Sequence, residues 1–520
     1  MAKHLMSFLG TTEYKETDYY AGDISNHKSS KYILDALIDV VCKEWDWKND
    51  KISVFLTDKA RENNWEKPGT LRDVLLSRTY IKNVFDVDIV AGGSENEIWQ
   101  MFEQMTEAIG EGDELYIDIT NSFRFVPLLM TSVAIFAKTV KNAEVKAVYY
   151  GAFVPGENKT PILNIAGFVD IIDWSQGTNL FVKSGRVDAI RDLSLSVSNL
   201  DEGEDKEIEC MMKNLVDMIE GLDNSQGGKT EKTKKKKGKK KKQNNYSAQK
   251  VTILEAYKGY VENKEIFMNK YADDIRMAPI RKVLGIIDED IDIFNKAATQ
   301  NSYFLMGMCA VSWYVRKGKV QQGYTALDET MKTYICQRYR VSITEYTIRE
   351  KAVQKMCGYI KNALEDEDNG ETEQKRRENA YKTWVIRNLG KEFEEVWENG
   401  KELEKSRLDN IKKNKKSEWE LYDSGIIERL IYEMSIEFIK LKLKIGDQRN
   451  SMNHFGYTSI RLAEEPLQDL AGYFEEFVNL VERENGGEEW KDKENIDIIS
   501  EDILKDLHAL VEDAKKFVEI

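Results

Sequence analysis

Residues that build metal and redox sites are scarce in this 520-residue chain, which has four histidines and five cysteines. Cys42, Cys210, Cys309, Cys336 and Cys357 are scattered and odd in number, and no Cys-x-x-Cys occurs. That spacing speaks against a zinc knuckle or a disulfide framework and suits a cytoplasmic protein with no metal cofactor. No apolar run reaches the ~20 residues that a membrane span needs. The apolar part of Met1–Gly10 is too short for a signal peptide and reads as a first strand. Gly-x-Gly-x-x-Gly and a Walker lysine are both missing, which disfavours a dinucleotide or nucleoside-triphosphate enzyme. Basic charge is short as well. A net charge of −15 argues against broad duplex binding, though not against a local basic pocket for a short strand or a small anion.

With 41% hydrophobic residues at this length, about two to four domains are expected. Residues 1 to about 175 alternate strand and helix signals. Leu5–Leu9, Ile52–Leu56, Phe85–Val90, Leu115–Ile119 and Glu144–Tyr150 read as strands. Ser29–Trp45, Glu97–Ile109 and Pro127–Val140 read as helices, and Ile162–Ile172 as further strand or hairpin. This order specifies an α/β, Rossmann-like sheet. Ligands of such sheets bind beyond the carboxyl ends of the strands. The residues placed there are Leu9, Gly10 and Thr11; Gly92, Gly93 and Ser94; Thr120, Asn121, Ser122, Phe123 and Arg124; and Gly151. Small residues, hydroxyls and an amide permit close backbone approach and hydrogen bonds to phosphates and base edges. Equally, the glycines could serve only to make turns.

Gly221–Tyr246 is charge-rich, with ten lysines between Lys229 and Lys242 and nothing apolar in that span, so a disordered solvated loop is expected. From Ala248 onward the pattern is helical, with only Pro279 and Pro466 beyond residue 161. Apolar spacing of three and four marks Ser302–Tyr314, Val320–Arg338, Gly425–Leu443 and Pro466–Val481. Glu365–Glu420 is highly charged and reads as a surface insertion. The division is then 1–180, 181–250 as a helical linker, and 251–520 with a charged helical insertion at about 360–420.

Asp447–Gly456 places Arg449, Asn450 and His454 together. An imidazole can move a proton near neutral pH, and a guanidinium can hold a phosphate through two hydrogen bonds. Gly446 and Asp447 read as a break, with Asp447 capping a new helical turn whose N-terminus would suit a phosphate. Arg449 and His454 are five apart, about 140° around an ideal helix, so a single regular turn does not put both on one face. The alternative is a surface helix start with a half-buried histidine.

Asp118–Arg124 after a central strand, and Tyr149–Ala152 after the next, resemble the CARF domain of CRISPR-associated ancillary proteins. Many relatives have His-Gly where this chain has Asn121-Ser122, which removes support for ligand cleavage at that position. Arg449-Asn450-Ser451-Met452-Asn453-His454 is similar to the Arg-x4–6-His mark of the HEPN ribonuclease domains that commonly follow CARF domains, and Gln321–Tyr324 with Glu329 resembles the helix packed beside that mark. An exposed, non-catalytic role is the reading for Glu329. The resemblance covers roughly residues 1–180 and 300–480. It implies an all-α HEPN domain, a homodimer or larger oligomer, and activation by a cyclic oligoadenylate, with the tetra-adenylate ring favoured. It also implies metal-independent cleavage of single-stranded RNA by Arg449, Asn450 and His454. The competing reading is a sensor that regulates a partner or nucleic acid without catalysis.

Overall fold

The computed structural model describes residues 2–186, 206–223, 252–341, 349, 355–364, 371–400, 402–453, 465–486 and 499–518. The chain forms two compact units, Met1–Trp174 and Ser175–Ile520. The first is built on β1 (Lys3–Leu9), β2 (Thr17–Tyr20), β3 (His27–Ser30), β4 (Lys51–Leu56), β5 (Asn83–Asp88), β6 (Glu114–Asp118), β7 (Glu144–Gly151) and β8 (Lys159–Asn164). Its helices are α1 (Ile33–Val40), α2 (Asp58–Asn64), α3 (Leu71–Ser77), α4 (Glu95–Ala108) and α5 (Val126–Val140), with α6 (Gly167–Ser184) running on past its boundary.

The strand order is β3-β2-β8-β7-β6-β1-β4-β5. β7, β6, β1, β4 and β5 are parallel, and β8 pairs antiparallel to β7. β1 sits centrally because both of its faces are apolar. Leu5 and Leu9 join Leu34, Leu37, Ile52 and Val54 on one side. Met6 and Phe8 join Met101, Met105, Val126 and Met130 on the other. A strand buried on both faces reads as a continuous apolar run, which is how Leu5–Leu9 appears in the sequence. From β4 and β5 on one side of β1 the chain crosses to β6 and β7 on the other, so the parallel strands diverge between β1 and β6. Such a divergence leaves a crevice at the carboxyl ends.

Two local expectations are corrected. Ser29–Trp45 is not one helical stretch: His27–Ser30 is an edge strand, and the helix is only Ile33–Val40. The Ser30 hydroxyl accepts the Tyr32 N–H at 3.1 Å, and Tyr32 is extended at the helix N-cap, which separates the two elements. Ile162–Ile172 is strand only to Asn164; its side-chain oxygen takes the Ala166 N–H at 3.1 Å, and a helix begins at Gly167.

Among the described residues the second unit is helical. It holds α7 (Lys206–Asp223), α8 (Ile253–Lys270), α9 (Ala278–Ile291), α10 (Asn295–Thr299), α11 (Tyr303–Arg316), α12 (Val320–Arg338) and α13 (Lys355–Leu364). After these come α14 (Glu373–Asn388), α15 (Glu392–Asn399), α16 (Lys405–Asn414), α17 (Lys416–Asp423), α18 (Ile426–Glu433), α19 (Ile436–Asn453), α20 (Pro466–Gly486) and α21 (Glu501–Val518). α7 pairs with α8 through buried Met211, Leu215, Met218 and Leu222, so part of the expected linker is packed core. Lys229–Lys242 lies outside the described residues. Gly425–Leu443 is two helices, parted where Ser435 Oγ accepts the Phe438 N–H at 3.2 Å. The charged 360–420 region is also anchored. Arg377 on α14 is buried, and its guanidinium donates to the Ile431 and Met434 carbonyls at the end of α18.

Candidate functional site

In the N-terminal unit a cleft of about 310 Å³ opens where β1, β4, β5 and β6 end. Leu9, Gly10, Thr11, Thr120, Asn121, Ser122 and Phe123 line it, joined by Phe8, Thr12, Tyr14, Phe55, Thr57 and Ile89. Thr12 belongs to the same loop as Gly10 and Thr11, and the other five are brought in by the fold alone.

The floor is polar and fixed. Asp118 is wholly buried at the end of β6; its carboxylate accepts from Ser7 Oγ at 2.6 Å and from the Thr120 N–H at 3.0 Å. Burial raises its pKa, and those two hydrogen bonds only partly counter that. Thr120 Oγ1 in turn accepts the Gly151 N–H at 2.9 Å. Gly151 does not line the cleft but must be small. A Cβ there would lie 2.7 Å from Ile33 Cδ1 and 3.2 Å from Thr120 Cγ2. The Gly10 N–H donates to the Tyr14 hydroxyl at 2.6 Å, and Asn64 Nδ2 holds the Gly10 and Thr12 carbonyls, both at 2.9 Å.

Asn121 differs from Thr120. Among the described residues its side chain makes no hydrogen bond, and it is half-buried at the rim, available to a ligand. Phe123 is exposed beside it and stacks on Phe125, with centroids 5.9 Å apart and planes at 4°. Arg124 is exposed and lies outside the cleft lining. Gly92, Gly93 and Ser94 are outside it too and have local duties. Gly92 has φ +75° and backs onto the Phe125 ring, while Ser94 caps α4 by accepting the Glu97 N–H at 3.3 Å.

In the helical unit, Arg449 and Asn450 lie inside α19, which runs unbroken through Gly446 and Asp447. The expected break and N-cap at Asp447 are therefore corrected, and with them the helix N-terminus offered to phosphate. Gly446 is buried against α12, and the nearest atom to a Cβ there would be Asp328 Oδ1, at 3.7 Å. Lys442, Gly446, Arg449 and Asn453 fall on one stripe of α19 by three- and four-residue spacing. That stripe meets α12. Asp328, fully buried, accepts from Arg449 Nη1 at 2.6 Å through one oxygen and from Lys442 Nζ through the other, with Lys332 Nζ 3.6 Å away. Gln321 Nε2 donates to Asn453 Oδ1 at 2.7 Å, and Arg449 Nη2 to Asn450 Oδ1 at 3.0 Å. Glu329 is not a free surface carboxylate. Lys332 and Arg349 both lie 2.8 Å from it; burial opposes its ionisation, yet these cations bring its pKa down to about 2. His454 lies outside the described residues.

The chemistry available is that of a held guanidinium, an exposed amide and the chain leading to His454. Among the described residues no group of three His, Cys, Asp or Glu side chains could hold a metal ion, and no helix is long and apolar enough to cross a membrane.

Residues 4–155 match the family described as the CARF domain of the CRISPR system endoribonuclease Csx1. The CRISPR-associated protein MJ1674 of Methanocaldococcus jannaschii is 34% identical over 122 residues, 22% of this chain and 18% of that protein. Both the central parallel sheet and the cleft at its carboxyl edge fall within the matched span. Over residues 4–155 the N-terminal unit is thus similar to a CARF domain, in sequence and in its Rossmann-like sheet.

Proposed function

We propose that the chain is an endoribonuclease of type III CRISPR defence, activated by a cyclic oligoadenylate and independent of metal. The observation that carries this reading is Arg449 on α19, fixed by a buried carboxylate and directly preceding Asn450, in a sequence that continues to His454 five positions after the arginine. The matched family is named for an endoribonuclease, which favours the same conclusion.

In this reading the ring lies over the carboxyl edge of the sheet. Asn121 and the backbone near Gly10 contact phosphate and adenine edges, and Phe123 offers a stacking face. A second copy of the chain completes a two-fold site that suits a symmetric ring. Ligand binding favours a dimer in which two HEPN sites oppose, a coupling of typically ~1–3 kcal/mol. His454 assists attack of an RNA 2′-OH on the adjacent phosphate or protonates the leaving 5′-oxygen, Arg449 stabilises charge on the phosphoryl oxygens, and Asn450 orients one of them. Sharing the site between two chains also meets the 140° separation. Products then carry 2′,3′-cyclic phosphate, and DNA, lacking the 2′-OH, is left intact.

The test is cleavage of single-stranded RNA in EDTA, with and without cyclic tetra-adenylate, beside the same sequence in DNA. Ring-dependent cleavage of RNA alone supports the proposal. Ring binding without cleavage by the parent chain overturns it in favour of a sensor without catalysis.

A further inference from the structure

We infer that Asp328 is a positioning residue for Arg449, an inference that rests on the ribonuclease reading of α19. Three observations carry it. Asp328 has no solvent exposure, so its carboxylate cannot be moved without moving α12. Its contact with Arg449 Nη1 is a charge-assisted hydrogen bond of 2.6 Å, whereas the other polar contact of that guanidinium is the neutral Asn450 amide at 3.0 Å. Charge-assisted bonds are shorter and roughly twice as strong as neutral ones. A phosphate approaching Arg449 therefore displaces Asn450 and leaves Asp328 in place. Arg449 Nε is buried without a hydrogen-bond partner among the described residues, so Asp328 is the charged group that fixes the plane of the fork.

Lys442 bears on how this is tested. It is 1% exposed and pairs with the second oxygen of Asp328, so removing the carboxylate alone takes a charge partner from a buried ammonium. The double substitution Asp328→Asn with Lys442→Met removes both buried ions and keeps the seam filled. Asp328→Glu keeps every charge but carries the carboxylate one methylene further along.

Each variant is made in the full chain, and RNA cleavage is followed with cyclic tetra-adenylate present. If Asp328 positions Arg449, both variants fold, kcat falls by about 10²-fold as for a misplacement near 1 Å, and KM stays within about threefold. If Asp328 only balances buried charge, the double variant and the Glu variant both restore the parental kcat, and the inference is overturned. Should the double variant fail to fold, Asp328→Glu decides on the same criterion. A parent chain that cleaves nothing while Arg449→Ala also cleaves nothing removes the ribonuclease reading and this inference together. A cleaving parent whose Asp328 variants keep the parental kcat removes this inference alone.

Discussion

Glu329 stands beside Asp328 on α12 and is held by two cations. The Glu329 carboxyl is brought down to about 2 against 4.5 for an ordinary glutamate, through Lys332 and Arg349. A folded value below the unfolded one means that these contacts stabilise the helical unit above about pH 4.5 and lose effect as pH falls toward 2. Glu329→Gln should therefore lower Tm at neutral pH, and its gap from the parent should close on acidification. A gap independent of pH would remove this ion pair from the account. In the CARF cleft, Asn121→Leu should abolish activation by the ring with little change in Tm, because Asn121 makes no hydrogen bond among the described residues. Thr120→Val should instead lower Tm, because the hydroxyl that accepts the Gly151 N–H is lost, at a cost of about 1–3 kcal/mol. Calorimetry with titrated cyclic tetra-adenylate separates the two. That Thr120 and Asn121 lie together beyond a strand end was legible in the sequence, but the difference between them was not. It depends on β7 lying beside β6, a pairing of residues about thirty apart.

At the scale of elements, α19 shows where periodicity stops being informative. Its apolar face is readable through Phe438, Leu441 and Ile445, and then the burial continues through Lys442 and Gly446 to half-buried Arg449. A polar stripe buried by a carboxylate on another helix has no apolar period, so Gly446 looks like an ending. Its interior position makes a testable point. Gly446→Ala places a methyl in ordinary contact with Asp328 Oδ1 and should stabilise the unit by up to about 1 kcal/mol through helix propensity. Gly323→Ala on α12 brings a Cβ to 2.4 Å from Leu470 Cδ2 and should destabilise it. Thermal unfolding of the pair reads the contrast, and equal destabilisation would mean that α19 is broken at Gly446. The charged α14 was misread for a related reason. Arg377 looks like surface until it caps the carbonyls of α18.

On the scale of the whole molecule, the α/β class was legible because strands such as β1 and β4 are nearly continuous apolar runs, whereas β2 and β3, Thr-Asp-Tyr-Tyr and His-Lys-Ser-Ser, offer no such run. Half of the candidate cleft was legible from the loops after β1 and β6. Tyr14 and Thr57 enter through folding alone. The two units carry two different tasks in the proposed function, so binding and cleavage should separate by mutation. A ring present at a hundred times its Kd stabilises the folded CARF unit by about 2.7 kcal/mol, and that shift should survive loss of catalysis. The most direct measurement is the rate of single-stranded RNA cleavage in EDTA by parent and His454→Ala, each saturated with cyclic tetra-adenylate, with the thermal shift recorded on the same samples. The account requires cleavage by the parent, none by His454→Ala, and the same ring-induced shift in both; cleavage by His454→Ala at the parental rate would contradict it.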